Sequence, residues 1–487
     1  MLKLKNLKVY DPVNGVNGEI KDICMEDGLI VSDNDKADEI RDMSGHIAMA
    51  GAIDIHTHIA GEPLPFLRDA DNPLLAPSQI LGEQYLGLGY TVAVNAAMCA
   101  LNAREAILEE NAIKDLDIGN LVWVGENPLF TKLINEESKE SNKSLPEYLS
   151  WLLSISGALG LKLINPCGGQ SSAESSYHKT IDKMIDATMD LRLAHPLHLH
   201  HPFLGSNIAS DAVCETIKAA AGRPLHLAHL QFYGYTKNSN DETISAAEKL
   251  ADAINSNPNI TCDVGAVTFG EAAAVTADLE FGEKFGKSKK GFVSTLWEAD
   301  GGFCVLPMKY SAKNRMNATQ FLTGLELMLL VKDPSRICLT TDFPNGGSFL
   351  AYPYLIHLLM DKSFRDEELK KLNSKALATS AVPSIKREYS YYEIAQMTRS
   401  GPAKLLGFSG KGHLGIGANG GLSCYKEMGN KEDMFRNPAA CLKGKKELLS
   451  APKIEYNIDF VKKLTEGVYS VAFEDLEDVH SWAQSLH

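Results

Sequence analysis

No Cys-x-x-Cys pair occurs in this chain of 487 residues, and its nine cysteines are odd in number. That pattern does not indicate a disulfide framework, and a chain this long buries a core large enough to be stable without one. Several cysteines (Cys99, Cys262, Cys304, Cys338) sit in apolar runs. They read as reduced, buried thiols of a cytoplasmic protein. Positive charge is in deficit, with 48 Lys plus Arg against 62 Asp plus Glu and a formal charge of -14. This balance argues against non-specific nucleic-acid binding and against a generally basic membrane-docking face, while leaving room for a local basic pocket. There is no uncharged apolar run of 18 residues, so no membrane-spanning helix is expected. Met1-Leu2-Lys3-Leu4-Lys5 lacks the apolar stretch of a signal peptide. Internal repeats and low-complexity tracts are also missing.

What is present is an alternation of short apolar runs with longer amphipathic stretches. The first fifty residues read as short strands punctuated by Asp11-Pro12, Asn14-Gly15 and Asp27-Gly28. From there, expected strands are Ile47–His58, Thr91–Met98, Leu121–Glu126, Leu159–Pro166, Leu197–His201, Leu225–Gln231, Ile260–Val267 and Ile337–Asp342. Expected helices include Ala103–Lys114, Tyr148–Gly157, Thr180–Leu193, Ala209–Ala221 and Thr243–Ile254. Eight strands alternating with helices imply parallel βα units, and eight is the number that closes a barrel. The long gap before the last strand, with turns near Lys284–Gly291, is expected to hold an insertion. Helical stretches follow at Leu350–Met360 and Tyr391–Ser400, and Gly421–Lys446 is expected to pair with the N-terminal strands. Residues Ile454–His487 read as a polar helical tail. The expected fold is thus an α/β, TIM-like (β/α)8 barrel over 49–405. Segments 1–48 and 406–487 join into a small β-sandwich module plus the tail.

The histidines fall where such a barrel keeps its chemistry. His56-Thr57-His58 ends the first expected strand, and residues i and i+2 share a face, so both imidazoles point to the C-terminal mouth. Lys162 interrupts an apolar strand, which is costly unless the amine is paired or modified. It reads either as a lysine snorkelling at a strand end or as a carbamylated lysine bridging two divalent ions. His198 and His200 repeat the same-face spacing in Leu197-His198-Leu199-His200-His201. His226 and His229 follow in Leu225–His229, and Asp342 ends Leu339-Thr340-Thr341-Asp342. A core histidine bonded to a backbone carbonyl is commoner than a ligand. Together, four imidazoles, a candidate lysine carbamate and an aspartate come from the ends of five strands. That donor mix suits two Zn²⁺ or similar ions, which acidify a bridging water and polarise a carbonyl.

The order His-x-His, Lys, His, His, Asp on strands one, four, five, six and eight resembles the amidohydrolase superfamily. By that resemblance His56, His58 and Asp342 hold one metal, His200 and His229 the other, and carboxylated Lys162 bridges them. Asp342 also takes the proton from the attacking water. His198 stands as the alternative on strand five, and His201 as a supporting group. Further motifs are Ile164-Asn165-Pro166, His195–His200, His229-Leu230-Gln231-Phe232, Asp263-Val264-Gly265, Pro344-Asn345-Gly346, Arg387–Ser390 and Leu358–Arg365. These resemble the A subunits of formylmethanofuran dehydrogenase, along with their bacterial relatives, the alpha subunits of formyltransferase/hydrolase complexes, over about Leu4–Lys446. The resemblance implies hydrolysis of an N-formyl amide on a methanofuran-like carrier (methylofuran), giving formate and free carrier. It implies partners too, a formyltransferase together with the other subunits of the complex. Departures include His201-Pro202-Phe203-Leu204-Gly205, the short loop after Pro166, Gly61-Glu62-Pro63-Leu64 and Gly420-Gly421-Leu422. They bear on carrier specificity more than on the metal ligands. Competing readings are a component of a molybdenum- or tungsten-partnered dehydrogenase, a cyclic amidohydrolase, or a non-catalytic scaffold within a complex.

Overall fold

The computed structural model describes residues 1–33, 37–61, 76–125, 128–135, 141–164, 176–276, 304–444, 447 and 449. Residues 62–64, Asn165-Pro166, the rest of the loop to 175, the turns at 284–291 and the tail from 450 lie outside the described residues.

The chain begins with β1 (Leu2–Asp11), β2 (Val16–Glu26), β3 (Leu29–Val31), β4 (Glu39–Asp42) and β5 (His46–Ala50). Asp27 and Gly28 turn β2 into β3 with φ of 49° and 82°, the left-handed pair a tight hairpin demands. β1 pairs antiparallel with β2 on one edge, and parallel with both β4 and β5 on the other. The C-terminal part of the chain then returns as β18 (Leu422–Lys426) and β19 (Ala440–Leu442), with β18 antiparallel to β5. One seven-stranded mixed sheet therefore unites the two ends of the chain, as expected, around buried Leu4, Leu7, Val9, Ile23, Ala48, Leu422 and Cys424. Asp11 Oδ2 accepts from the Leu414 backbone N at 2.9 Å, a second tie between the ends.

The barrel strands are β6 (Ala52–Thr57), β7 (Tyr90–Met98), β8 (Asp117–Val124), β9 (Gly160–Leu163), β10 (His198–Leu199), β11 (Leu225–Leu227), β14 (Ile260–Asp263) and β17 (Ile337–Cys338). They form one parallel eight-stranded sheet in chain order. Its first and last strands meet through a Thr57–Phe343 bridge, where His58 N donates to Phe343 O at 2.7 Å. All residues of β6 and β7 are buried, as parallel strands covered on both faces require.

Several expected boundaries change. The run Ile47–His58 is not one strand: it divides at Gly51 into β5 of the small sheet and β6 of the barrel. Gly51 N donates to Gly421 O at 2.9 Å, and a Cβ at Gly51 would collide with Thr91 Oγ1 and Gly420 O. The later strands are shorter than their apolar runs, because their last residues leave the ladder to serve the centre described below. Thr243–Ile254 is not helical throughout. Its first three residues form β13 (Thr243–Ser245), paired with β12 (Tyr235–Lys237), and a helix runs only over Ala247–Ser256. The β-branched Thr243 and Ile244 favour the hairpin, and Ser245 Oγ accepts from Ala247 N at 3.2 Å where the helix begins. The gap between the last two barrel strands holds an added antiparallel hairpin, β15 (Gly270–Thr276) with β16 (Cys304–Tyr310), and a helix over Arg315–Leu330.

No helix among the described residues is long and apolar enough to cross a membrane. Cys24, Cys99, Cys262, Cys338 and Cys424 are buried. Because the corner at Gly51 has no room for a methyl group, Gly51→Ala is expected to cost about 1–3 kcal/mol of stability. Urea unfolding measures this, and an unchanged midpoint would show that the corner is not tight.

Candidate metal centre

The centre forms where the barrel strands stop. His56 and His58 leave the end of β6 on one face, and their Nε2 atoms converge on Asp342 Oδ1, at 3.2 and 3.0 Å. Lys162, inside β9, brings Nζ to 2.8 Å from His56 Nε2. His200 follows β10, and its Nδ1 lies 3.0 Å from His229 Nε2. The structure thus brings all six candidate ligands together. They divide into the groups His56–His58–Asp342 and His200–His229, with the Lys162 amine at the His56 side.

Two of these residues adopt backbone conformations that L-residues rarely tolerate. His229 has φ 35° and Asp342 φ 48°. Such strain costs on the order of 1–3 kcal/mol and gathers at functional sites. His229 is seated by Gly265, where a Cβ would collide with the His229 Cβ. Asp342 is steadied by Asn345, whose Nδ2 donates to its Oδ1 at 3.0 Å. Asn345 Oδ1 accepts in turn from Val275 N at 2.7 Å, tying the carboxylate to the β15–β16 hairpin.

Of the two histidines left open on strand five, His200 faces His229 and the cavity, whereas His198 points into the barrel interior, with Nε2 3.2 Å from His56 Nδ1. His201, expected as a supporting group, bonds instead to Pro202 O and Thr216 Oγ1, at 2.8 and 2.9 Å. Two carboxylates escaped the sequence reading. Asp263 is wholly buried and accepts from His56 Nδ1 (2.9 Å), His226 Nε2 (3.2 Å), His229 N (2.9 Å) and Thr340 Oγ1 (3.0 Å). Asp54 accepts from Tyr352 Oη (2.6 Å), Tyr85 Oη (3.0 Å) and His56 N (3.2 Å). The signal for both was available: an aspartate inside an apolar strand run must find donors.

Electrostatics follow from burial. Burial opposes charge on Asp263 and Asp342, yet the surrounding imidazoles hold both carboxyls well below the usual carboxylate range. Burial pushes the Lys162 amine down to about 8, against the pull of Asp342 and Asp263. It pushes His58 down to about 4, although Asp342 bonds to it. His56 behaves differently: burial is outweighed by Asp263 and Asp342, and its affinity for a proton rises.

A cavity, partly open to solvent, runs onto these groups. His58, Lys162, His200, His229 and Asp342 form its polar floor, and Phe232, Tyr235, Val275, Met308 and Tyr310 are among its walls. An apolar pocket with a few convergent polar groups is the usual form of a small-molecule site.

Residues 105–445 match the amidohydrolase family. The chain is 35% identical over 474 residues to the A subunit of the formyltransferase/hydrolase complex Fhc of Methylorubrum extorquens, covering 90% of this chain and 86% of the other. This chain belongs to the amidohydrolase family, in the group of the Fhc A subunit. It is also 31% identical over 495 residues to protein FwdA of Methanocaldococcus jannaschii, covering 91% and 86%. The fold matches the crystal structure of the FhcABCD complex from Methylorubrum extorquens with methylofuran at a TM-score of 0.88 and 32% identity, over 98% of this chain and 96% of that one. An N-acyl-D-glutamate deacylase of Bordetella bronchiseptica shares the fold alone, with a TM-score of 0.54 at 13% identity over 92% of this chain and 99% of that one.

Amidohydrolases imply a divalent metal, and the residues present fit one. Two nitrogens on one tetrahedral zinc, each about 2.0 Å from it, stand about 3.3 Å apart. The 3.0–3.2 Å spacings within each group approach that figure. The buried Nδ1 of His229 has no hydrogen-bond partner among the described residues, while its Nε2 faces His200 Nδ1 at 3.0 Å.

Burial of neutral imidazoles makes the metal-free chain sensitive to acid. Burial holds His201 down to about 4 and His195 down to about 3, against about 6.5 when unfolded. Because the unfolded chain then binds protons first, their stabilisation is complete above pH 6.5 and declines as pH falls from 6.5 toward 4. His201 alone should lower stability by about 2 kcal/mol between pH 7 and 5. Urea unfolding of chelator-treated protein checks this, and equal midpoints at the two pH values would contradict it.

Proposed function

We propose that this chain hydrolyses an N-formyl amide carried on the amine of a methanofuran-type molecule, within a formyltransferase/hydrolase complex. One observation carries the reading. The donors His56, His58, Lys162, His200, His229 and Asp342 line or adjoin one apolar cavity, in a chain 35% identical to the A subunit of an Fhc complex. The relative solved with methylofuran supports the carrier class.

His56, His58 and Asp342 would hold one divalent ion, and His200 and His229 the second, with a carboxylated Lys162 between them. The nitrogen-rich donor set favours zinc. When bound, such ions would supply Lewis-acid polarisation of a carbonyl oxygen and would acidify water toward neutrality. The remaining steps belong to the chain. Asp342, acceptor-only and held by Asn345, takes the proton of the attacking water. The water oxygen bonds to the formyl carbon, the C–N bond breaks, and Asp342 returns the proton to the departing amine, leaving formate. Phe232, Tyr235, Met308 and Tyr310 enclose the carrier's ring and exclude bulk water from the cavity floor. Lys162, with its affinity lowered to about 8, has a substantial neutral fraction near physiological pH, the form that captures carbon dioxide.

Asp342→Asn is expected to reduce hydrolysis of a formylated furfurylamine carrier about 10²–10⁴-fold while keeping most bound metal. Unchanged turnover would remove Asp342 from proton transfer. A ¹³C-bicarbonate-labelled protein should show a carbamate resonance that Lys162→Arg abolishes, and the same signal in the variant would place it elsewhere. Copurification of a formyltransferase supports the complex proposed here. A molybdopterin protein in its place would favour the dehydrogenase reading.

A further inference from the structure

Beneath the proposed ligands, on the side away from the cavity, lies a buried set of polar groups that hydrolysis does not use: His195, His198, His226 and Asp263, each at most 1% exposed. Its hydrogen bonds form a chain with a direction. At one end, His195 Nδ1 faces Leu405 O at 3.4 Å, in the helix that follows the barrel. A carbonyl oxygen only accepts, so Nδ1 of His195 carries the proton. In a neutral ring Nε2 is then a bare acceptor, and His198 Nδ1, 3.1 Å away, must donate to it. That leaves His198 Nε2 bare, facing His56 Nδ1 at 3.2 Å. The same His56 nitrogen faces Asp263 Oδ2 at 2.9 Å, another group that only accepts. Both neighbours demand a donor. His226 fits the same scheme, with Nε2 3.2 Å from Asp263 Oδ2 and Nδ1 2.9 Å from Thr261 Oγ1, a hydroxyl able to donate. Burial favours the neutral form of His195, His198 and His226. At His56 itself the Lys162 amine, 2.8 Å from Nε2, can donate to that nitrogen and leaves Nδ1 as the one that carries the proton.

We propose that Asp263, supported by the His195–His198 chain, is the positioning residue that fixes His56 in its Nδ1–H tautomer and so keeps Nε2 free to bind metal. Asp263 acts on both halves of the centre at once. Its Oδ2 orients His56, and its Oδ1 holds the backbone N of His229, the strained residue of the other group. Two residues on, Gly265 provides the surface against which His229 sits in that conformation. The seventh barrel strand, which carries none of the six proposed ligands, thus becomes the template on which the ligands of strands one and six are set. A carboxylate behind a ligating imidazole raises its basicity and sets its orientation, and losing such a partner typically weakens metal binding about 10–100-fold.

This inference rests on the reading of His56 as a metal ligand, and the experiment separates the two. In metal-free wild-type protein labelled with ¹⁵N-histidine, His56 is expected as the Nδ1–H tautomer, its signals identified by their loss in His56→Gln. In Asp263→Asn the side-chain amide can present a donor to Nδ1, which pushes the proton to Nε2 and blocks the ligating atom. Zinc affinity, read by chelator competition, should then fall about 10–100-fold. An Nε2–H tautomer in the wild type overturns the proposal even if Asp263→Asn does not fold. So does wild-type zinc affinity in Asp263→Asn while His56→Gln loses zinc, and in that outcome the metal centre itself stands. Undiminished zinc content in His56→Gln would overturn the reading of the centre, and this inference with it.

Discussion

Burying charge is the constraint on which this structure turns. Imidazoles, an amine and carboxylates are packed at the inner ends of the barrel strands with almost no access to water. Isolated, each such group would cost several kcal/mol to bury, so the arrangement survives only because the charges meet partners of the right kind. Asp342 is surrounded by His56, His58 and Asn345, and Asp263 by His56, His226, Thr340 and the His229 backbone. The two carboxylates flank His56, one at each ring nitrogen, and the ring conveys the position of one to the other.

The barrel makes this density possible. Parallel strands stop together at one rim, so short segments remote in the chain deliver side chains to a single volume. Past the last ladder bond the backbone is free to bend. Both His229 and Asp342 take left-handed conformations there, and their strain is borne by the packing of Gly265 and the hydrogen bond of Asn345. Asn345 also fastens the β15–β16 hairpin, which walls the cavity, to the proposed proton carrier. The cavity wall and the Asp342 carboxylate therefore share one amide side chain.

The small sheet plays a supporting part. Its strand β5 runs into barrel strand β6 through the Gly51 corner, and β18 from the far end of the chain closes over β5. Arg399, buried in the segment after the barrel, donates to Ala50 O at 3.1 Å and so reaches the residue just before that corner. The His-x-His segment is thus anchored at its root by both ends of the chain.

Much of this was legible in the order of residues. Eight apolar runs separated by amphipathic stretches specify parallel βα units, because a parallel strand needs a long crossover to return the chain to the same end of the sheet, and a helix is its usual form. A His-x-His at a strand end puts two rings on one face through the two-residue period alone. His200, His229, Lys162 and Asp342 could be singled out because polar residues in apolar strands need a reason. What spacing could not decide was direction beyond the strand. His198 and His200 share a face by sequence, yet the bend after β10 sends one into the interior and the other to the cavity. His201 turns aside to Thr216, and Thr243–Ser245 follows its hairpin partner instead of the helix behind it. Asp263 carries its meaning only in three dimensions, since the groups that bond to it come from strands one, six and eight. Local chain periodicity is set by covalent geometry and is readable one residue at a time. The partner of a buried charge is set by which strands the closed barrel brings side by side.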